Sequence, residues 1–250
     1  MQRPLMKNLF LLLMLAAAML FALPLSAGKA PKKNDGLSRT YGRITITVRQ
    51  IVPKGQISGR LPDESKVPDM AKEFFQALNE LPEEFIYRTG IKTVTFLEDL
   101  KLNGADAGGV AGGGMIWLRP QAPRHTIYHE IFHIFDPDRN DKSWTKLNNR
   151  RFIYTGSDFY AADLSRSKTR KMNKNVEEHR FDYDFVSRYA MSDEREDRAE
   201  TFAAMVVEGP NFLRRAAASS VMKKKMEYII DVTGKRNLLG RDYWRQHLGL

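Results

Sequence analysis

"HTIYHEIFHIFD", residues His125 to Asp136, holds an HExxH pattern at His129, Glu130 and His133. Residues four apart share one face of an α-helix, so a helix here brings both imidazoles to a single ion. Glu130 sits beside them, offset enough to miss the ion and to hold a water against it. Ile127, Tyr128, Ile131, Phe132, Ile134 and Phe135 cover the other faces, and a helix apolar on all sides belongs in a core. Two imidazoles and a carboxylate buried there without partners would be costly. A bound metal removes that cost. The competing reading is a core helix that happens to contain histidines. With five histidines in the chain, chance produces the pattern in roughly under 1% of such sequences, so that reading is weak. His125, one turn earlier on a similar face, is either an extra ligand or a local partner at the helix start.

Zinc in a hydrolase usually takes three protein ligands and keeps an open position. A third histidine at the HExxHxxGxxH spacing is absent, because Asp136 and Arg139 stand at the Gly and His positions. The later stretch Tyr189 to Gly209, "YAMSDEREDRAETFAAMVVEG", offers carboxylates instead. Ser192 or Asp193 can cap a helix there, and acids follow in its first turn as the helix dipole prefers. At 100° per residue Ala199, Phe202, Ala203, Val206 and Val207 form an apolar arc that also carries Glu196 and Glu200, whereas Asp197, Arg198 and Thr201 fall outside it. Two carboxylates one turn apart on a buried face repel each other and lose hydration. A dication shared with the histidines relieves both. The alternative is a capping box, Asp193 with Glu196, leaving Glu200 solvated.

Outward from these motifs the chain reads as α+β. "YGRITITVRQI" (41–51) alternates Ile44, Ile46 and Val48 with polar residues, a half-buried strand. "VPDMAKEFFQALNEL" (67–81) places Met70, Phe74, Phe75, Leu78 and Leu81 at helical spacing, with Pro82 as a break or kink. "IKTVTFL" (91–97) and "MIWLR" (115–119) read as further strands. "NGADAGGVAGGG" (103–114) between them lacks the Lys-Ser/Thr of a phosphate loop and leads into a strand, so a flexible loop is expected. The second half is helical and basic, with loops around "NNRRFIYTGSDFY" and "RSKTRKMNKNVEEHR".

The N-terminus has Arg3 and Lys7 without acids, an apolar run from Leu9 to Leu25, then "SAG". This is the pattern of a secretory signal peptide (1–27), cut near Ala27. The alternative is a retained anchor that barely spans a bilayer. A polar leader follows (28–40), and residues 41–250 read as one domain. The absence of cysteine excludes disulfides, thiolate ligands and cysteine nucleophiles. The formal charge is +10, or +8 once the signal is removed. Basic runs such as "RSKTRKMNK" (166–174) and "MKKKM" (222–226) read as solvated surface. They could attract an anionic envelope polymer. No nucleic-acid motif is present.

"HEIFH" together with "FVSRYAMSDEREDRAETFA" resembles the gluzincin metallopeptidases, most closely the branch of lethal-factor-like and Pro-Pro-endopeptidase-like domains, and a group of exported bacterial zinc metallopeptidases. "SWTKLNNRRFIYTG" is similar to the exported group; the resemblance spans roughly residues 91 to 210. It implies a zincin-like fold, with a small sheet and edge strand, then the HExxH helix and a helical second half. It also implies Zn²⁺ held by His129, His133 and Glu196, with Glu130 as general base, Tyr189 donating to the oxyanion and Glu200 orienting a liganding histidine. Glu196 and Glu200 could exchange roles. The expected activity is hydrolysis of a protein or peptide substrate outside the cytoplasm, "MIWLR" serving as the sheet edge that takes an extended peptide. The competing expectation is a non-catalytic envelope protein of the same fold that binds an anionic or protein partner.

Overall fold

The β-branched residues that alternate with polar ones over Ile44–Val48 form one strand of the larger of two sheets. The structure, a computed structural model, describes residues 36–136, 142–156, 181–235 and 238–250. The expected signal peptide, most of the expected leader and the basic run 166–174 lie outside these residues. The leader expected over 28–40 stops short of its end, because β1 (Ser38–Tyr41) pairs antiparallel with β2 (Ile44–Val48). β1 carries no apolar alternation. Hydroxyl contacts Ser38–Thr47 and Thr40–Thr45 join it to β2 instead.

β3 (Ile57–Arg60) precedes α1 (Val67–Leu78), and Pro82 ends the first helical pattern and caps a second helix, α2 (Glu83–Thr89). β4 (Thr93–Phe96) then runs parallel to β2. β5 (Glu98–Leu102) and β6 (Ala105–Asp106) form a hairpin that, with β3, makes a separate three-stranded sheet. The glycine-rich stretch is not a loop throughout. It supplies β6 and β7 (Gly109–Gly112), and β7 pairs antiparallel with β8 (Met115–Leu118). Two turns with φ > 0 make this folding possible: Asn103-Gly104 (+52°, +82°) and Gly113-Gly114 (+60°, +78°). Both are two-residue hairpin turns of the kind that Asn-Gly and Gly-Gly favour.

The larger sheet has the order β1-β2-β4-β8-β7. The expected edge strand at 115–119 therefore sits inside the sheet, parallel to β4 over Thr93–Phe96, and its edge is β7. Ile116 and Leu118 are fully buried, as befits an inner strand.

α3 (Arg124–Phe135) follows β8 directly, with Pro123 at its N-cap. α4 (Glu194–Glu208) begins at Asp193, whose carboxylate accepts the Arg195 amide. α5 (Phe212–Ala218), α6 (Ser220–Gly234) and α7 (Arg241–Leu248) complete the helical half. α3 and α4 run antiparallel, since His125 meets Glu200 while His133 meets Glu196. Phe132 stacks on Phe202 at 4.8 Å, and Phe85 lies against Phe135 at 4.7 Å, closing the apolar side of the pair. No helix among the described residues is long and apolar enough to cross a membrane.

α4 departs from its expected polarity. Asp197, Arg198 and Thr201 are as buried as the apolar arc, while Val207 is 47% exposed. Arg198 reaches the Asp136 carboxylate at 2.9 Å, tying the end of α3 to α4. Asp197 accepts Trp144 Nε1 at 2.9 Å and the Tyr154 hydroxyl at 2.8 Å, and pairs with Lys225 at 2.8 Å. Lys225, expected on a solvated surface, is therefore fully buried; its Nζ also donates to the Asp184 carbonyl and lies 3.5 Å from the Phe185 ring centre. Burial pushes the Asp197 carboxyl up and the Lys225 ammonium down, and their mutual attraction opposes both.

Candidate metal centre

The four-residue spacing in α3 places His129 and His133 on the side facing α4. Their Nε2 atoms lie 2.9 Å apart, and Glu196 Oε2 approaches them at 3.0 and 3.1 Å. These three residues form the candidate metal-binding group among the described residues. Two protons can join the carboxylate to both imidazoles, but they then leave two N–H groups facing each other at 2.9 Å. A cation satisfies all three. Ligands about 2.0–2.1 Å from a tetrahedral zinc stand about 3.3 Å from one another, a few tenths of an ångström from the separations found. The donor set, two nitrogens and one oxygen, also suits zinc.

Electrostatics agree with a positive charge at this point. Burial disfavours ionised Glu196, yet the bonds from His129 and His133 outweigh it and hold the carboxyl well below the usual range. Burial lowers the His129 pKa, but bonds to Glu196 and Glu200 raise it further, to about 10. A cation held by these groups would displace any proton that they share, so metal binding would release protons.

Glu200 stands on the outer side of His129. Its Oε1 lies 2.9 Å from His129 Nδ1 and 2.9 Å from His125 Nε2. His125 accordingly stays outside the three-residue group and engages Glu200 instead. The other oxygen, Oε2, accepts the Ser187 hydroxyl at 2.6 Å, and Ser187 Oγ in turn accepts the Ala190 amide at 3.1 Å. Ser187 therefore links Glu200 to the single turn Tyr189–Met191, whose Tyr189 ring stacks on His129 at 5.8 Å. Spacing rules did not point to Ser187. A hydroxyl that bridges a turn to a neighbouring helix leaves no periodic trace.

Glu130 is 4% exposed, and burial raises its pKa against the lowering influence of His129 and His133. It lines a cleft of about 630 Å³ with His129, Tyr189, Glu196 and Glu200, facing the β5–β6 hairpin and the Gly108–Gly109 end of β7. The volume suits a small-molecule or peptide site. A larger cavity of about 770 Å³ lies against α6 and α7 and contains none of these residues. The candidate site is therefore the smaller cleft.

Residues 118–246, just over half of the chain, match the model of a family described as "Putative zinc-binding metallo-peptidase". The chain is also similar in fold to a crystal structure from Bacteroides caccae described in the same words. The two share 13% identity with a TM-score of 0.50, over 82% of this chain and 85% of that one. No curated protein matches the sequence.

Proposed function

The chain belongs to this family of zinc-binding metallo-peptidases, and we propose that it hydrolyses peptide bonds at the cleft, in the manner of the gluzincin branch with lethal-factor-like domains. The observation that carries the reading is the convergence of His129, His133 and Glu196 within about 3 Å of one another beside the buried Glu130. In this reading those three residues hold the zinc ion. When bound, zinc would supply Lewis acidity, lowering the pKa of water to about 7 and polarising a carbonyl.

The chain's own groups do the rest. Glu130 takes the proton of the attacking water and delivers it to the leaving amine. Its buried setting favours this, because a carboxylate of raised pKa is the stronger base. Tyr189 donates to the oxygen on which charge develops, where a placed donor contributes several kcal/mol. Glu200 Oε1, 2.9 Å from His129 Nδ1, would orient the ring and leave Nε2 free to hold the ion. The strand that offers its edge to an extended substrate is β7, not the segment 115–119. We further place the protein outside the cytoplasm, on the strength of the signal-like residues 1–27.

Replacing Ser187 by Ala removes the bond to Glu200 and the acceptor of the Ala190 amide. Zinc affinity or activity should fall about 10- to 100-fold, measured by competitive zinc titration and peptide kinetics. Zinc at a hundred times its dissociation constant should add about 2.7 kcal/mol of stability, or roughly 5–10 °C in Tm at this size. Calorimetry with and without chelator reads this shift.

The deciding experiment is digestion of an unbiased peptide library by the protein lacking residues 1–27, alongside a metal count. Cleavage abolished by a chelator supports the proposal. Stoichiometric zinc without any cleavage would instead make the chain a binding module for an anionic or protein partner.

A further inference from the structure

Gly109 is the residue of β7 that faces the glutamate of the HExxH helix. A Cβ placed on Gly109 would stand 2.6 Å from Glu130 Cγ, 2.7 Å from its Oε1 and 2.9 Å from its Cδ. Real carbon atoms do not approach so closely, so one side would have to move. The strand is pinned, so the side that must yield is the glutamate, which lines the cleft. Gly109 is held in register opposite Leu118 of the inner strand β8, and its neighbour Gly108 accepts the Arg119 amide through its carbonyl. Glu130 is 4% exposed on a helix whose flanking Ile127 and Ile131 are buried in the core. The neighbouring glycines differ: a Cβ at Gly108 meets Thr126 at an ordinary 3.6 Å, and one at Gly112 meets nothing within 4 Å.

A glycine inside a strand often marks the close approach of another group, and here that group is the protein's own carboxylate. We infer that Gly109 is a positioning residue for Glu130: the bare backbone of the edge strand forms the wall that sets where the carboxylate stands in the cleft. The inference rests on the proposed role of Glu130 for its catalytic consequence, while its steric content stands apart from that role. A methyl group at this one position displaces the glutamate by about the overlap it creates, and a misplacement near 1 Å costs on the order of 100-fold in rate.

The test has two arms. In the first, Gly109→Ala is assayed on a cleaved peptide: kcat should fall about 100-fold with KM and bound zinc little changed. A wild-type kcat overturns the inference. In the second, which needs no activity, Tm is measured for the parent, Gly109→Ala, Glu130→Ala and the double variant. Gly109→Ala alone should lower Tm by about 5 °C, and the loss should vanish when Glu130 is already Ala. Gly112→Ala should show no such coupling to Glu130. Additive shifts for Gly109 and Glu130 overturn the inference. Should Gly109→Ala alone fail to fold, folding of the double variant supports the contact and its failure refutes it. A parent that cleaves nothing defeats the proposed function, yet the Tm cycle still decides the Gly109 contact.

Discussion

Glu130→Gln should lose peptide hydrolysis by about 1,000-fold or more while keeping its zinc. Gln matches Glu in size and fits the same space beside Gly109, so the packing of α3 on β7 is retained. What changes is the ability to take a proton. A positioned general base contributes about 10²- to 10⁴-fold, and about 1,000-fold corresponds to roughly 4 kcal/mol of transition-state stabilisation. Glu130 is not among the three residues whose ligand atoms converge, so the metal count should not move. The measurements are steady-state kinetics on a cleaved peptide and elemental analysis of the same sample. Full activity would remove Glu130 from its assigned role, and loss of the metal would make it a ligand.

The second large effect concerns stability. Lys225→Met should destabilise the protein by about 3–5 kcal/mol, because it strands the fully buried Asp197 carboxylate without its cation. Met approximates the lysine stem, so little packing is lost and the electrostatic part dominates. At this chain length the change corresponds to a Tm lower by roughly 6–20 °C. Asp197→Asn in the same background should recover part of the loss: Asn needs no counter-charge, and its carbonyl still accepts from Trp144 and Tyr154. Thermal unfolding of the two variants checks both statements. A Lys225→Met protein as stable as its parent would show that Asp197 takes up a proton at little cost. The pair also bears on the site, since Asp197 is the immediate neighbour of Glu196 and anchors that turn of α4 to α6 and to Trp144.

The parts of the centre that could be read in the sequence are those governed by short periodicities. His129 and His133 face one way because they are four apart, and Glu196 and Glu200 share a side of α4 for the same reason. Asp197, Arg198 and Lys225 defeated that logic. A periodic pattern treats charged residues as solvent-facing, yet each of these meets an opposite charge far away in the chain, such as Asp136 for Arg198. The glycine-rich segment misled through composition. Glycine weakens a strand, and only pairing with the apolar β8 makes Gly109–Gly112 one. The two turn pairs, Asn103-Gly104 and Gly113-Gly114, did carry a hairpin signal. They were obscured by the other glycines around them. Val207 was misplaced at the edge of the arc: in the last turn of α4 Val206 faces the core, while Val207 turns to solvent.

Metal stoichiometry across a short set of variants bears most directly on the centre. Elemental analysis of the parent protein should find one zinc per chain, and His129→Ala, His133→Ala and Glu196→Ala should each lose most of it while Glu130→Gln retains it. A parent protein that takes up no zinc, or one whose zinc survives removal of both histidines, would contradict the account.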